Sequence, residues 1–168
     1  MEAIVYTSNT GSTARYAKLL GHELGIPVYS AAEAKKTLPA GTGIIYLGWI
    51  MAGKVKGYPD AAKKYKLLAV CAVGMGQTGT QRKEIREKNG VRGKIPVFTL
   101  QGNFDVKKLR GMYRMMMDIM VKTAGKALEN KTDRSPEEED MLDMMLHGGE
   151  RVRVENLKDV TDWYNSKR

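Results

Sequence analysis

A chain of 168 residues, 42% of them hydrophobic, is long enough for one α/β-sized domain with its own core and leaves little room for a second. No apolar run reaches the roughly 20 residues that span a bilayer, and the opening MEAIVYTSNTGS lacks a basic stretch followed by an apolar one, so a cytoplasmic protein is expected. The net charge of +9 is uneven: residues 1–53 carry +1, residues 54–110 carry +10 and residues 111–168 carry −2, so the basic middle either meets a polyanion or is a solvated lysine-rich face.

Residues 3–7, AIVYT, predict a short strand, and TARYAKLLGHEL after the next turn has helical spacing through Ala14, Tyr16, Ala17, Leu20 and Leu24. A short strand near Pro27 to Tyr29 follows, then a helix over 31–36 and an apolar strand over 43–47. Residues 61–66 predict a brief helix and 67–73 a buried strand. The only cysteine, Cys71, lies inside that strand, which excludes an intrachain disulfide and predicts a small buried hydrophobe. A charged helix at about 80–89 precedes IPVFTLQG, a fifth strand. Unbroken apolar strands separated by helices predict an α/β fold with a parallel sheet covered on both faces.

After Gly102 the alternation gives way to a helical insertion at about 103–150 within one domain spanning 1–168. Its first helix, over about 106–128, sets Leu109, Met112, Tyr113, Met116, Met120 and Ala127 on one side, with Met115 and Ile119 widening the stripe. The second starts at SPEE, where Ser135, Pro136 and Glu138 make a capping box, and stops at Gly148 and Gly149. The stripe either packs on the second helix or meets an apolar partner, since thioether chains adapt their shape. Lys107, Lys108, Arg110 and Arg114 lie beside it, so peripheral contact with an anionic membrane through 107–120 is one expectation. A strand-like RVRV and a helix from about Asn156 to Ser166 close the chain.

The segment richest in chemistry is SNTGST, Ser8 to Thr13, between the first strand and the first helix. A glycine there permits a tight turn, successive amides and the helix N-terminus favour an anion, and flanking hydroxyls can donate to phosphate oxygens. The Walker pattern is absent, which removes support for nucleotide triphosphate hydrolysis. GMGQTG, Gly74 to Gly79, spells a dinucleotide fingerprint, but it follows the wrong strand and has no acidic residue about twenty positions on. His22 and His147 have no partner at metal-ligand spacing, so no metal site is expected.

IVYTSNTGSTARYA resembles the first loop of flavodoxins, T/S-x-T-G-x-T directly after the first strand, matching at Ser8, Thr10, Gly11 and Thr13. The resemblance continues at LGWIMAG, where flavodoxins set an aromatic or apolar residue against the flavin, and at GMGQTG in the third loop. It covers residues 3 to about 101 and the final helix. It implies a flavodoxin-like, doubly wound, five-stranded parallel sheet of order 2-1-3-4-5 with FMN at the strand C-terminal ends. The implied cofactor residues are Ser8, Asn9, Thr10, Gly11, Ser12 and Thr13; then Gly48, Trp49, Ile50, Met51, Ala52 and Gly53; then Gly74, Met75, Gly76, Gln77, Thr78 and Gly79. Trp49 would stack on the ring, Gly53 would turn its carbonyl toward reduced flavin, and the third loop's amides would meet the ring's polar edge. Met75 stands where many flavodoxins carry a second aromatic ring. Lys54 and Lys56 flank the second loop, whereas flavodoxins are usually acidic.

Three functions follow. The first is FMN-based electron transfer to a redox partner protein, with the flavin performing the chemistry and no catalytic side chain required. The second is a flavin-dependent dehydrogenase, because LRGMYRMMMDIM resembles the insertion of flavodoxin-fold, menaquinone-coupled protoporphyrinogen dehydrogenases, with Arg110, Tyr113 and Arg114 agreeing in kind. That family implies a quinone or porphyrin-like partner. The third is a cofactor-free anion or nucleic-acid binding module, which the lack of a basic–aromatic stacking pattern disfavours.

Overall fold

The computed structural model describes residues 2–103 and 111–168. Their order is β1 (Glu2–Thr7), α1 (Ser12–Leu24), β2 (Val28–Ser30), α2 (Ala31–Thr37), β3 (Gly43–Met51), β4 (Lys54–Val55), α3 (Tyr58–Lys64), β5 (Lys66–Gly74), α4 (Arg82–Asn89) and β6 (Val97–Gln101). The sheet runs β2-β1-β3-β5-β6 with every one of these pairings parallel, and β4 adds an antiparallel flap to the end of β3. The chain is therefore α/β with a parallel sheet. β4 and the extension of β3 to Met51 were not expected.

Alternation along the strands builds two cores. Ala3, Val5, Ile44, Tyr46, Val70 and Ala72 face α2, α3 and α4 through Ala34, Tyr58, Ala61 and Ile85. Their neighbours Ile4, Ile45, Leu47, Ala69, Cys71 and Val73 face α1 through Tyr16, Ala17 and Leu20, and the last helix through Val160 and Tyr164. Each strand is apolar on both sides because helices cover both faces. The third helix begins at Tyr58 rather than Ala61: Pro59 suits a first turn, and Gly57 ahead of it adopts φ +77° where any Cβ would sit 2.1 Å from the Tyr46 hydroxyl.

The insertion contains α5 (Gly111–Met120), a π-helical turn (Val121–Gly125), α6 (Lys126–Asn130) and α7 (Pro136–His147). The Ser135 capping box forms, with Ser135 Oγ accepting from the Glu138 amide and Glu138 accepting from the Ser135 amide. Of the stripe's described side chains, Met115 and Ile119 are exposed and Met120 lines a cavity. Leu109, Lys107, Lys108 and Arg110 lie outside the described residues, as do the side chains of Met112, Tyr113, Arg114 and Met116. RVRV forms no strand. Arg151–Arg153 returns beside the exit from β6, a 3-10 turn (Val154–Leu157) follows, and α8 (Lys158–Ser166) ends the fold. Among the described residues, no helix is long and apolar enough to cross a membrane.

Candidate functional site

Parallel strands place all their C-terminal ends at one edge, and there the loops after β1, β3 and β5 converge. Gly11 ends the first loop at φ +108°, a left-handed conformation that a side chain resists, and no described side chain caps the N-terminus of α1. The first amides of α1 thus remain open to an outside acceptor. Ser12 and Thr13 are almost wholly buried. Ser12 Oγ accepts from the Asn103 amide at 2.9 Å, which leaves its own proton to donate. The buried Ser8 hydroxyl has no hydrogen-bond partner among the described residues. An orphaned hydroxyl beside an uncapped helix end suits a phosphoryl group.

The second segment is a hairpin rather than a loop. Gly48, Trp49, Ile50 and Met51 are strand residues, and the turn is the pair Ala52 and Gly53, at φ +50° and +77°. Two positive φ values make a tight turn that matches strand twist, and Ala52 pays strain where Asn or Gly is usual. α4 holds the turn in place. Asn89 Nδ2 donates to the Gly53 carbonyl at 2.9 Å, Asn89 Oδ1 accepts from the Val55 amide at 2.8 Å, and Lys54 Nζ reaches the Lys88 carbonyl. The Lys56 ammonium lies 5.7 Å from the centre of the Trp49 ring.

The third segment is stitched to β6. The Gly79 amide donates to Thr99 Oγ1 at 3.0 Å, the Gln101 amide to Thr78 Oγ1 at 3.0 Å, and Gly74 accepts from the Gly102 amide at 2.7 Å. A Cβ on Gly74 would lie 2.9 Å from Ile50 Cδ1, so the glycine lets the hairpin pack against β5.

Between these segments lies a cavity of about 460 Å³. Asn9, Thr10, Ser12, Thr13, Trp49, Ile50, Met51, Ala52, Gly74, Met75 and Gly76 line it, so all three sequence-derived segments contribute. Ser8, Gly11, Gly48, Gly53, Gln77, Thr78 and Gly79 do not. Gly11 lines an adjoining space of about 280 Å³ with Arg15, Lys18 and Asn103, while Gln77 and Thr78 face a polar cleft with Gln101, Asp140 and Arg151.

The sequence reading missed Val73, Gln81, Gly102 and Asn103, and left open whether the insertion reaches the site. Met120, Ala124, Met141 and Met145 do line the cavity, Ala124 from the π-helical turn, a distortion that recurs at functional sites. Asn103 joins the insertion's two ends to the first loop. Its amide meets Ser12, its Oδ1 accepts from the Arg151 and Val152 amides, and its Nδ2 donates to Glu150 at 3.2 Å. Glu150 also takes two bonds from Arg15 of α1 at 2.8 and 2.9 Å. The Gly102–Asn103 pair directly after a strand was a turn signal that pointed there.

No titratable side chain lines the cavity among the described residues. Burial pushes the Cys71 thiol up to about 12, and Cys71 sits inside the sheet, so it is no nucleophile. Tyr46, which donates to the Lys56 carbonyl and accepts from the Thr7 hydroxyl, is likewise raised to about 12 by burial. No group of three or more His, Cys, Asp or Glu side chains among the described residues is placed to hold a metal. The described lining presents open helix amides, hydroxyls and an apolar wall, with no acid–base or nucleophilic side chain among the described residues. No protein-family model matches this chain, and comparison with curated proteins finds no match.

Proposed function

We propose that the chain is a flavodoxin-like protein that binds FMN and transfers electrons. The observation that carries this reading is a hydroxyl-lined helix end without a side-chain cap, opening directly onto an apolar cavity that has no titratable side chain among its described lining residues. The strand order supports the fold assignment, since the five parallel strands counted without β4 run 2-1-3-4-5. Ser8, Thr10, Ser12 and Thr13 with the first amides of α1 would hold the phosphate. Trp49, Ile50 and Met51 would pack on the ring, and Gly74, Met75 and Gly76 would meet its edge. Bound FMN supplies one- or two-electron redox chemistry, and the chain's part is to bind, orient and shield. The visible spectrum of protein mixed with FMN, with riboflavin as control, tests this: a shifted spectrum and quenched fluorescence are expected for FMN, more weakly for riboflavin. Spectra identical to free FMN would falsify it.

A second reading has one observation in its favour. Met120, Ala124, Met141 and Met145 bring the insertion into the cavity wall, which suits a small apolar reactant such as a quinone or porphyrin-like molecule better than a bare electron shuttle. On that reading FMN-loaded protein oxidises or reduces such a molecule at the cavity, and removal of the insertion abolishes this turnover while FMN remains bound.

A further inference from the structure

Six lysines gather at the edge of the sheet opposite the cavity. Lys35 and Lys36 end α2, Lys63 and Lys64 end α3, Lys66 opens β5, and Lys94 lies in the lead-in to β6. Backbone bonds tie these segments together: the Gly41 amide meets the Lys64 carbonyl at 2.8 Å, the Lys66 amide the Thr42 carbonyl at 3.0 Å, and the Val70 amide the Pro96 carbonyl at 3.0 Å. Lys64 Nζ donates to the Lys35 carbonyl at 2.9 Å, joining α2 to α3.

Several described cations elsewhere have acidic partners: Arg15 with Glu150, Arg82 with Asp159, Lys88 with Glu84, Lys131 with Glu138, Arg134 with Glu139 and Arg151 with Asp140, whereas Lys18 on α1 and Lys122 and Lys126 in the insertion stand without an ion pair to a described acidic residue. None of the six lysines forms an ion pair with a described acidic residue. Helix C-termini favour cations, which accounts for the four lysines on α2 and α3. It does not account for Lys66 and Lys94, which stand on a strand and a loop.

We propose that this edge docks the protein on an anionic bilayer surface, by charge alone. Lysine ammonium groups are flexible point charges without the forked geometry that nucleic-acid recognition draws from arginine. No described aromatic residue is exposed to stack on a base, since Tyr65, the ring within this cluster, is buried with Lys64 Nζ 5.3 Å from its centre. Among the described residues the large exposed apolar side chains, Met115, Ile119, Leu146 and Val154, all lie in the insertion or after it, so no large apolar side chain described at this edge is exposed to insert into lipid or fill a protein pocket. A cluster of lysines without ion pairs to described acidic residues fits an array of headgroup phosphates. Docking there turns the cavity mouth away from the bilayer.

The test is co-sedimentation with vesicles of phosphatidylcholine alone or mixed with phosphatidylglycerol, using the full chain without cofactor. Wild type is expected to sediment only with the anionic vesicles and to be released by added salt. Lys35→Ala, Lys36→Ala, Lys63→Ala and Lys66→Ala together should cut binding by about fivefold per lysine, and the matching Lys→Glu set should abolish it. Both sets leave the cavity walls untouched, and unchanged melting curves show that they fold. Lys122→Glu with Lys126→Glu in the insertion should sediment like wild type. The proposal fails if wild type stays in the supernatant, if the patch variants sediment equally, if the insertion variant is the one that loses binding, or if a labelled DNA duplex binds more tightly than the vesicles at the same ionic strength.

Discussion

Gly11 and Thr13 concentrate the demands on the first loop. A Cβ at Gly11 would meet nothing within 4 Å, so the requirement for glycine comes from φ +108° and not from crowding. Gly11→Val therefore costs about 1–3 kcal/mol of backbone strain or rebuilds the loop, and FMN binding should be lost while the sheet stays folded. Thr13→Ala removes one hydroxyl donor. At about 1.5–3 kcal/mol for a hydrogen bond to a charged group, a ten- to hundredfold weaker FMN affinity is expected in a fluorescence titration. Trp49 is half-buried on the cavity wall, and ring stacking adds about 0.5–1.5 kcal/mol beyond area burial. Trp49→Ala should bind FMN more weakly and leave it brighter; equal affinity with equal quenching would remove Trp49 from the stacking role.

At the scale of elements, the hairpin and the insertion are each held by one asparagine. Asn89 satisfies the Val55 amide and the Gly53 carbonyl of the hairpin and adds a bond to the Ile85 carbonyl of its own helix, so Asn89→Ala leaves two hairpin backbone groups without this partner. A loss of about 1–3 kcal/mol is expected, with faster hydrogen exchange at Val55 and a hairpin free to relax Ala52. If Val55 exchange is unchanged, the strained turn holds itself. The insertion is tied down by Asn103 and Glu150. Arg15 first, and the Asn103 side chain second, hold the Glu150 carboxyl below the ordinary carboxylate range. A depressed folded-state pKa contributes stability above the unfolded value, here 4.5, and loses it as pH falls through the lower folded value. Proteolysis within the insertion should thus rise on acidification below about 4.5, and Glu150→Gln should flatten that dependence. Identical profiles for wild type and variant would show that the carboxylate does not fasten the insertion.

For the whole molecule, the insertion leaves and returns at nearly one point, since the Val152 amide lies 3.1 Å from Asn103 Oδ1. Ends so close can be bridged by a short linker without stretching the sheet. A chain with residues 104–149 replaced by a Gly-Ser linker should keep a cooperative melting transition and retain phosphate-dependent FMN binding, with a more exposed and more weakly held ring. Loss of cooperative unfolding would mean that the insertion belongs to the core. The two helix-covered cores argue against that, because the one containing Ile4, Leu20 and Leu47 draws on Val152, Leu157, Val160 and Tyr164, all of which the shortened chain keeps.

The sequence by itself determined the alternation of strands and helices, the buried Cys71, the turn at Gly11 and the capping box at Ser135. These are local: each follows from side-chain periodicity, a single φ requirement or contacts three residues apart. Gathering Thr13, Trp49 and Met75 around one cavity was legible only through the family-like spacing of their loops. Three matters waited for the tertiary structure. The hairpin at Ala52 and Gly53 depends on Asn89, thirty-six residues beyond Gly53. The junction at Asn103 depends on Glu150 and Val152, forty-seven and forty-nine residues away. Whether the methionines of the insertion cover the core or the cavity depends on where α7 lies, since helical spacing fixes which side chains share a face and says nothing about what that face meets.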